Sequence, residues 1–125
     1  VLTSGGLQEV GNFIFQDGST AGIGRGSDPF SPPALMRRYA DYCSGVFLAV
    51  PLMLWRMLDG FDQDFAPAYY EDTDFCLRIW QAGFRVVCAP EILVEHLEWG
   101  SAASNEAVHH MQKNRVLFQR KHKRW

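Results

Sequence analysis

Three carboxylates, Glu71, Asp72 and Asp74, lie within four residues directly before an apolar pattern with helical spacing. Acidic side chains are favoured at a helix start because the first N–H groups there are unpaired and the helix dipole is positive. The pattern that follows puts Phe75 and Ile79 on one face. The segment therefore predicts a helix that begins at the acid cluster and buries one side.

On the residues alone, two interpretations of the acid cluster stay open. Helix-dipole physics explains the acids without any function. Alternatively, a carboxylate within hydrogen-bond reach of a hydroxyl group can take its proton, and carboxylate oxygens can also hold a hard cation.

The chain before the cluster predicts strands and turns. Residues 10–15 are β-rich and lead to Asp17-Gly18, which predicts a strand and a tight turn followed by irregular chain. The nearly continuous apolar run at 39–50 predicts a strand covered on both faces. Gly45 within this run predicts close approach of another backbone or of a ligand.

Further elements complete the predicted fold class. A short helix is expected at 52–58, shorter strands at 84–88 and 92–96, and a long helix at about 105–121. Together these elements predict an α/β domain with a small mixed sheet and about three helices.

Composition limits the alternatives. A chain of 125 residues with 47% hydrophobic residues suits one domain with a real core. The formal net charge of -2 gives no global attraction to nucleic acid, and no nucleic-acid partner is expected. The basic stretch at 113–125 predicts a solvated helix end, with peripheral contact to a membrane as the alternative.

The three cysteines, Cys43, Cys76 and Cys88, form no C-x-x-C pair and lie in apolar runs. They are interpreted as buried reduced thiols, which predicts a cytoplasmic chain. No run of about 18 apolar residues is present, so no membrane span is expected.

A histidine and three aromatic residues add candidates for binding. His96 follows a short β run, and both a structural role and metal ligation stay open for it. Tyr69, Tyr70 and Trp99 flank polar positions, and both a place in the core and a flat apolar face for a sugar ring stay open for them. His109 and His110 are neighbours on a helix, so their side chains diverge and make a poor metal clamp.

The order of these motifs resembles the C-terminal half of family 2 glycosyltransferases, including bacterial rhamnosyltransferase-like members. LQEVG at 7–11 and DGS at 17–19 are similar to the segment before that half. The motifs that carry the resemblance are DYCSG at 41–45, GFD at 60–62, YEDTDFCLR at 70–78, AGFRV at 82–86 and VEH at 94–96.

The resemblance implies a partial GT-A fold and an inverting transfer of a sugar from a nucleotide-sugar donor to an acceptor hydroxyl in bacterial glycan or polysaccharide assembly. It implies that Asp72 is the general base and that Glu71 holds the acceptor hydroxyl. His96 is expected to contact a divalent cation, Mg²⁺ or Mn²⁺, or the pyrophosphate.

Substrate contacts are expected from five residues, some of them near the junction of donor and acceptor. They are Ser44, Gly45, Tyr70, Asp74 and Trp99. The acceptor is expected to be a glycan or a lipid-linked molecule, and the enzyme is expected in the cytoplasm, where it can lie at the inner face of the cell membrane.

The chain departs from the family pattern because no D-x-D metal motif occurs in the family's position. Asp62-Gln63-Asp64 has the letters but follows Gly60-Phe61, and it is interpreted as loop acids. Residues 1–125 are therefore expected to be the acceptor-side part of a glycosyltransferase domain. The N-terminal nucleotide-binding half is expected to be absent from this part, so a partner chain or the remainder of the native protein would have to supply it. This part alone would be inactive, and its uncovered apolar surface could lead to a homodimer.

Two other functions stay open. One is a non-catalytic module that keeps the fold and binds a glycan or a protein. The other is a metal-dependent phosphoester hydrolase, which requires the acids of the cluster and His96 to converge.

Overall fold

The computed structural model describes residues 1–97 and 105–123, so the predicted substrate residue Trp99 lies outside the described residues. Within these ranges the chain is a small α/β protein, which confirms the predicted class and the prediction of about three helices. The strands are β1 (Asn12–Ile14), β2 (Thr20–Gly22), β3 (Arg38–Tyr39) and β4 (Val87–Cys88), the helices are α1 (Leu52–Met57), α2 (Glu71–Gln81) and α3 (Asn105–Lys121), and a 3₁₀ turn spans Gln63–Phe65.

The described strands do not form the single mixed sheet that the sequence predicted. β1 pairs antiparallel with β2, and β3 pairs antiparallel with β4, which gives two separate two-stranded sheets. Two isolated bridges add to them, a parallel one between Leu2 and His96 and an antiparallel one between Asn12 and Tyr42.

Two short predicted strands are wrong in extent. Of residues 84–88 only β4 is a strand, and of residues 92–96 only His96 pairs, in its bridge to Leu2. Val86 is 5% exposed and packs in a core cluster with residues of α2, whereas Ile92 and Leu93 are exposed.

The predicted strand at 39–50 is wrong over most of its length, because β3 includes only its first residue. The chain turns after Ser44, whose carbonyl accepts a hydrogen bond from Phe47 N at 3.3 Å. Gly45 N donates to Oδ2 of Asp72 at 2.8 Å instead of to a neighbouring strand. Phe47 is 54% exposed, so the run is not covered on both faces. The Asp72 carboxylate thus accepts the Gly45 hydrogen bond that a neighbouring strand would accept in a sheet.

The Asp17-Gly18 turn confirms the predicted strand and tight turn. Gly18 has a φ of 69°, and Asp17 Oδ1 accepts hydrogen bonds from Ser19 N at 2.9 Å and Ser19 Oγ at 2.5 Å. The irregular chain predicted after this turn is instead β2, which returns along β1 to complete a hairpin.

α2 confirms the helix predicted after the acid cluster, and it is buried on more sides than predicted. Phe75 and Ile79 are buried, as are Cys76 and Leu77 on other sides of the helix. Core clusters pack on both sides, which explains the wide burial. One contains Leu77 with Ile14, Phe65, Tyr70 and Phe118, and the other contains Phe75, Cys76, Ile79 and Val86.

α1 confirms the helix predicted at 52–58, and Gly60 lies in the turn that follows the end of this helix, as expected. Gly60 has a φ of 61°, and a Cβ there would lie 2.6 Å from the ring of Trp55. Glycine therefore allows both the left-handed turn and the close approach of the indole.

All three cysteines are free thiols, and Cys76 is buried as predicted. Cys43 and Cys88 are instead partly exposed. In the described part of the chain, no helix has the length and apolarity needed to cross a lipid bilayer.

α3 confirms the predicted C-terminal helix, and its buried Asn114 ties it to the segment that leads into α2. Asn114 Nδ2 donates to the carbonyls of Phe65 at 2.7 Å, Ala68 at 2.9 Å and Tyr69 at 2.8 Å. Buried carbonyls without a donor are costly, so this one side chain determines the path of the chain before α2.

We expect Asn114→Ala to lower the free energy of unfolding by about 2–4 kcal/mol, because it leaves three backbone carbonyls without this donor. Urea unfolding monitored by circular dichroism measures the change. Gln112→Ala, at an exposed position of the same helix, is the matched control and should change stability by less than about 0.5 kcal/mol. Equal effects of the two substitutions would contradict the role of Asn114.

Candidate functional site

Two tyrosines in the left-handed conformation direct the start of α2. Tyr69 has a φ of 74° and Tyr70 a φ of 72°, a conformation that costs about 1–2 kcal/mol for an L-residue. Hydrogen bonds hold both: Tyr69 O accepts from Asn114 Nδ2, and Tyr70 Oη donates to Gly18 O at 2.7 Å. These contacts offset the strain and set the direction in which the acidic residues follow.

Tyr70 itself lies in the core rather than at an open surface. Its side chain is 8% exposed, and its ring centroid lies 5.5 Å from that of Phe118. The structure therefore places this predicted substrate residue beneath the start of α2, where its ring face is covered by protein.

Asp72 is the second residue of α2, and both oxygens of its carboxylate accept hydrogen bonds. Oδ2 accepts from Gly45 N at 2.8 Å, while Oδ1 accepts from Thr73 N at 2.6 Å and Thr73 Oγ1 at 3.2 Å. Each carboxylate oxygen has two lone pairs, so Oδ2 retains one acceptor position. These hydrogen bonds fix the orientation of the carboxylate at the start of α2.

Burial raises the pKa of Asp72, and the hydrogen bonds from Gly45 and Thr73 oppose this increase. The carboxyl group of Asp72 in the folded protein therefore holds its proton more strongly than an exposed aspartate does. A raised pKa brings a carboxylate closer to the working pH, where it is a more effective base.

Glu71 carries an unsatisfied acceptor next to this carboxylate. Burial raises its pKa, and the charge of Asp72 raises it further. Its Oε2 is buried and accepts no hydrogen bond from the described residues. Because such an atom costs about 1–3 kcal/mol when unpaired, a hydroxyl group of a ligand would stabilise it.

Ser44 and Gly45 form a turn beside the start of α2. A Cβ added to Gly45 would lie 3.6 Å from Cβ of Asp72, which is an ordinary van der Waals distance to a side chain and not the predicted close approach of a backbone or a ligand. Ser44 lines a cavity of about 280 Å³, which Glu9 and His96 also line. Gly45, whose N–H donates to Asp72, directly follows Ser44 in the chain.

Glu9 is a carboxylate of this region that sequence reasoning missed. It lines the same cavity as Ser44 and His96. Burial raises the pKa of Glu9, the polar groups of Asn12 and Ser44 lower it, and the charge of Asp72 raises it. The one available signal was an acidic residue between the apolar Leu7 and Val10, which are both buried.

Asp74, predicted to bind substrate, lies in a buried ion cluster instead. Its carboxylate is 0% exposed and contacts Arg78 Nε, Lys121 Nζ and His122 Nε2, each at 2.7 Å. Gln81 Nε2 donates to His122 Nδ1 at 3.4 Å, so the Nε2–H of the imidazole faces Asp74. The structure thus separates Asp74 from Asp72 and gives it internal partners.

His96 lines the cavity with one ring nitrogen fixed. Its Nδ1 lies 2.8 Å from Gln8 Oε1, an acceptor, so Nδ1 carries the proton and the lone pair remains on Nε2. An imidazole oriented in this way fits as one ligand of a divalent metal. Within the described residues, no group of three or more His, Cys, Asp or Glu residues is arranged to hold a metal.

This result bears on the phosphoester hydrolase alternative, which required Glu71, Asp72, Asp74 and His96 to converge. Among residues 1–97 and 105–123 they form no metal-binding group, and Asp74 is occupied by its own ion pairs. Asp74 is therefore held by Arg78, Lys121 and His122.

Asp62 and Asp64 have local structural roles, in agreement with their interpretation as loop acids. Asp62 Oδ1 accepts from Asp64 N at 2.9 Å at the start of the 3₁₀ turn, and Asp62 Oδ2 pairs with Lys121 Nζ at 2.6 Å.

Arg115 pairs with Asp17 at 2.7 Å, so part of the basic C-terminal charge is used within the protein.

Comparison of the chain with protein-family models, with curated proteins and with solved structures gave no match.

Substitution of Asp74 tests its placement. Burial raises the pKa of Asp74, but hydrogen bonds from His122, Lys121 and Arg78 outweigh this effect and lower it. Its ionised form therefore contributes stability above about pH 4, the ordinary Asp value, and that stability is lost as the pH falls through the lower folded pKa.

We expect Asp74→Asn to destabilise the fold at neutral pH by about 3–5 kcal/mol, because the cationic partners lose their buried counter-charge. Urea unfolding at a series of pH values should also show a weaker dependence between pH 2 and about pH 4. Asp64→Asn, at an exposed position, serves as the control. A neutral effect of Asp74→Asn would show that the cluster is not needed for folding.

Proposed function

We propose that this chain is the acceptor-side part of an inverting glycosyltransferase with a GT-A fold. In the intact protein, it would act on a nucleotide-sugar and an acceptor hydroxyl in bacterial glycan assembly. The observation that carries the proposal is the Asp72 carboxylate, which is held by Gly45 N at the start of α2. The adjacent Ser44 lines the same cavity as His96, which supports a common site for the expected substrate turn and donor contact.

In this reaction Asp72 takes the proton of the acceptor hydroxyl. The acceptor oxygen forms a bond to the anomeric carbon on the face opposite the nucleotide diphosphate. The bond between that carbon and the diphosphate oxygen breaks, and its electron pair leaves with the diphosphate. One bond forms as one breaks, so the configuration at the anomeric carbon inverts.

The hydrogen bonds of Asp72 support this role because they orient the carboxylate before the acceptor arrives. Preorganised groups need no rearrangement during the reaction, which is a large part of enzymatic rate enhancement. Glu71 precedes Asp72, and the family resemblance assigns it to the acceptor hydroxyl; its buried Oε2 has no hydrogen-bond partner among the described residues.

His96 is the described residue that would contact a divalent cation, Mg²⁺ or Mn²⁺, through Nε2. Such a cation, when bound, stabilises the negative charge of a departing diphosphate. The other ligands are expected from the nucleotide-binding half that the family resemblance implies. Gln8 holds the ring of His96 in the required tautomer.

Asp72→Asn in the intact enzyme should lower the rate of sugar transfer at least about 100-fold, because a carboxamide cannot accept the hydroxyl proton. Donor binding, measured by isothermal titration with the nucleotide diphosphate, should remain unchanged. Asp64→Asn is the matched control and should retain transfer. Wild-type turnover of Asp72→Asn would refute the assignment of Asp72 as the base, whereas absence of transfer by the wild-type intact protein would favour a glycan-binding or protein-binding module.

His96→Ala in the intact enzyme should weaken nucleotide diphosphate binding about 10-fold in the presence of Mn²⁺, because one ligand of the cation is lost. The same titration with EDTA should show no difference between variant and wild type. His109→Ala, on the exposed side of α3, is the control. Equal affinities of the variant and the wild type in the presence of Mn²⁺ would show that His96 is not part of the donor site.

A further inference from the structure

Positive and negative charge are separated along the chain. All fourteen Asp and Glu residues lie at positions 9–106, whereas six of the twelve Lys and Arg residues lie at 113–125. The formal net charge of -2 is therefore the result of an acidic segment followed by a basic one. Such a separation orients a protein, because its basic end is attracted to an anionic surface while the remainder is repelled from it.

The fold uses part of the basic charge to hold α3 in place. Arg115 pairs with Asp17 at 2.7 Å, and Lys121 pairs with Asp62 at 2.6 Å and with Asp74 at 2.7 Å. These ion pairs attach α3 to the turn of the N-terminal hairpin and to the chain around the start of α2. They thereby fix which side of the helix faces the solvent.

Two further basic residues of α3 lie on its solvent side. Asn114 and Phe118 are buried on the side that packs against the protein. With 3.6 residues per turn, Lys113, Val116 and Arg120 lie on the other side of the helix. All three are exposed. Two cations and one apolar residue thus form a stripe along the outer surface of α3.

Lys123, in the turn directly after α3, adds a third exposed cation. In the described part of the chain, the ion pairs of the basic stretch use Arg115 and Lys121 but none of these three cations. The helix dipole favours cations only within the last turn of a helix. Lys113 lies about two turns before the end of α3, so the dipole does not account for it.

Val116 lies between the cations of the stripe. It is 44% exposed and follows Lys113 by three positions and precedes Arg120 by four. Cations that surround an exposed apolar side chain are typical of helices on the surface of an anionic bilayer. There the cations contact the phosphate groups of the lipids, and the apolar side chain reaches the boundary of the acyl chains.

We propose that α3 docks on an anionic lipid surface through its basic face, which consists of Lys113, Val116, Arg120 and Lys123. A basic side chain near such a surface strengthens binding about fivefold, so three of them give a factor of about 100. The inference is independent of the proposed function, because it uses no residue of the site at Asp72.

Sedimentation with lipid vesicles, measured on the 125-residue chain, tests this inference. The chain should bind mixed vesicles of phosphatidylcholine with about one third phosphatidylglycerol, and it should not bind vesicles of phosphatidylcholine alone. The triple variant Lys113→Gln, Arg120→Gln and Lys123→Gln should bind the mixed vesicles about 100-fold more weakly. Raising NaCl from about 50 mM to about 500 mM should release the wild type, because salt screens exposed charges.

The matched control is a second triple variant, Arg37→Gln, Arg56→Gln and Arg85→Gln. It removes three exposed cations from other parts of the chain, so its net charge equals that of the first variant. It should bind the mixed vesicles as the wild type does. Circular dichroism should show the wild-type fold for both variants, since exposed substitutions change stability little. Equal losses in both variants would overturn the inference, as would failure of the wild type to bind the mixed vesicles.

A substitution that keeps all cations of the basic face gives an independent readout. Val116→Asp should bind the mixed vesicles at least about fivefold more weakly, because its carboxylate is repelled by the anionic lipids. Met53→Asp, at a position of α1 that is 79% exposed, has the same net charge and should bind as the wild type does. Unchanged binding of Val116→Asp would contradict the inference. Tighter binding of the wild type to a single-stranded oligonucleotide than to the mixed vesicles would assign the basic face to nucleic acid instead.

Discussion

The buried carboxylate of Asp74 is the interaction on which the rest of the fold depends. It joins the first turn of α2 to the end of α3 through Lys121 and His122, at 2.7 Å each. Arg78 completes the cluster and donates to Gly60 O at 2.7 Å, which ties the loop after α1 to the same point. A charge removed from water needs such paired and hydrogen-bonded surroundings. The cluster therefore holds three chain segments in one arrangement.

The acid cluster at the start of α2 divides into two environments because of this arrangement. Asp74 turns inward and is stabilised in its ionised form, with a pKa below the ordinary value. Asp72 and Glu71 have fewer partners, and burial raises the pKa of both. Groups with opposite pKa shifts on one helical turn are typical of a division between structural and reactive roles. The cationic residues thus stabilise the helix start and leave Asp72 without a neutralising counter-charge.

Local signals predicted much of the fold, whereas contacts between distant residues explain what could not be predicted. The Asp17-Gly18 turn and α2 depend on neighbouring residues, and both were predicted correctly. The run at 39–50 has strand composition, but its N–H at Gly45 binds Asp72, 27 residues further along the chain. Asp74 was expected to bind substrate. Its partner His122 lies 48 positions further along the chain, so neighbouring residues gave no sign of this pairing. Apolar periodicity carries no information about such polar pairings.

The wide separation of these partners also has a consequence for how the chain folds during synthesis. Asp74 and His122 are 48 positions apart, and the turn at Asp17 contacts Arg115 and Gln119 across 98 and 102 positions. Contacts of this range form late, because the intervening chain must lose its freedom first. While α3 is still inside the ribosome, Asp74 has Arg78 but lacks Lys121 and His122, and the N-terminal hairpin lacks its contacts with α3. The nascent chain therefore exposes charge and apolar surface together, and it is most prone to aggregation just before α3 emerges.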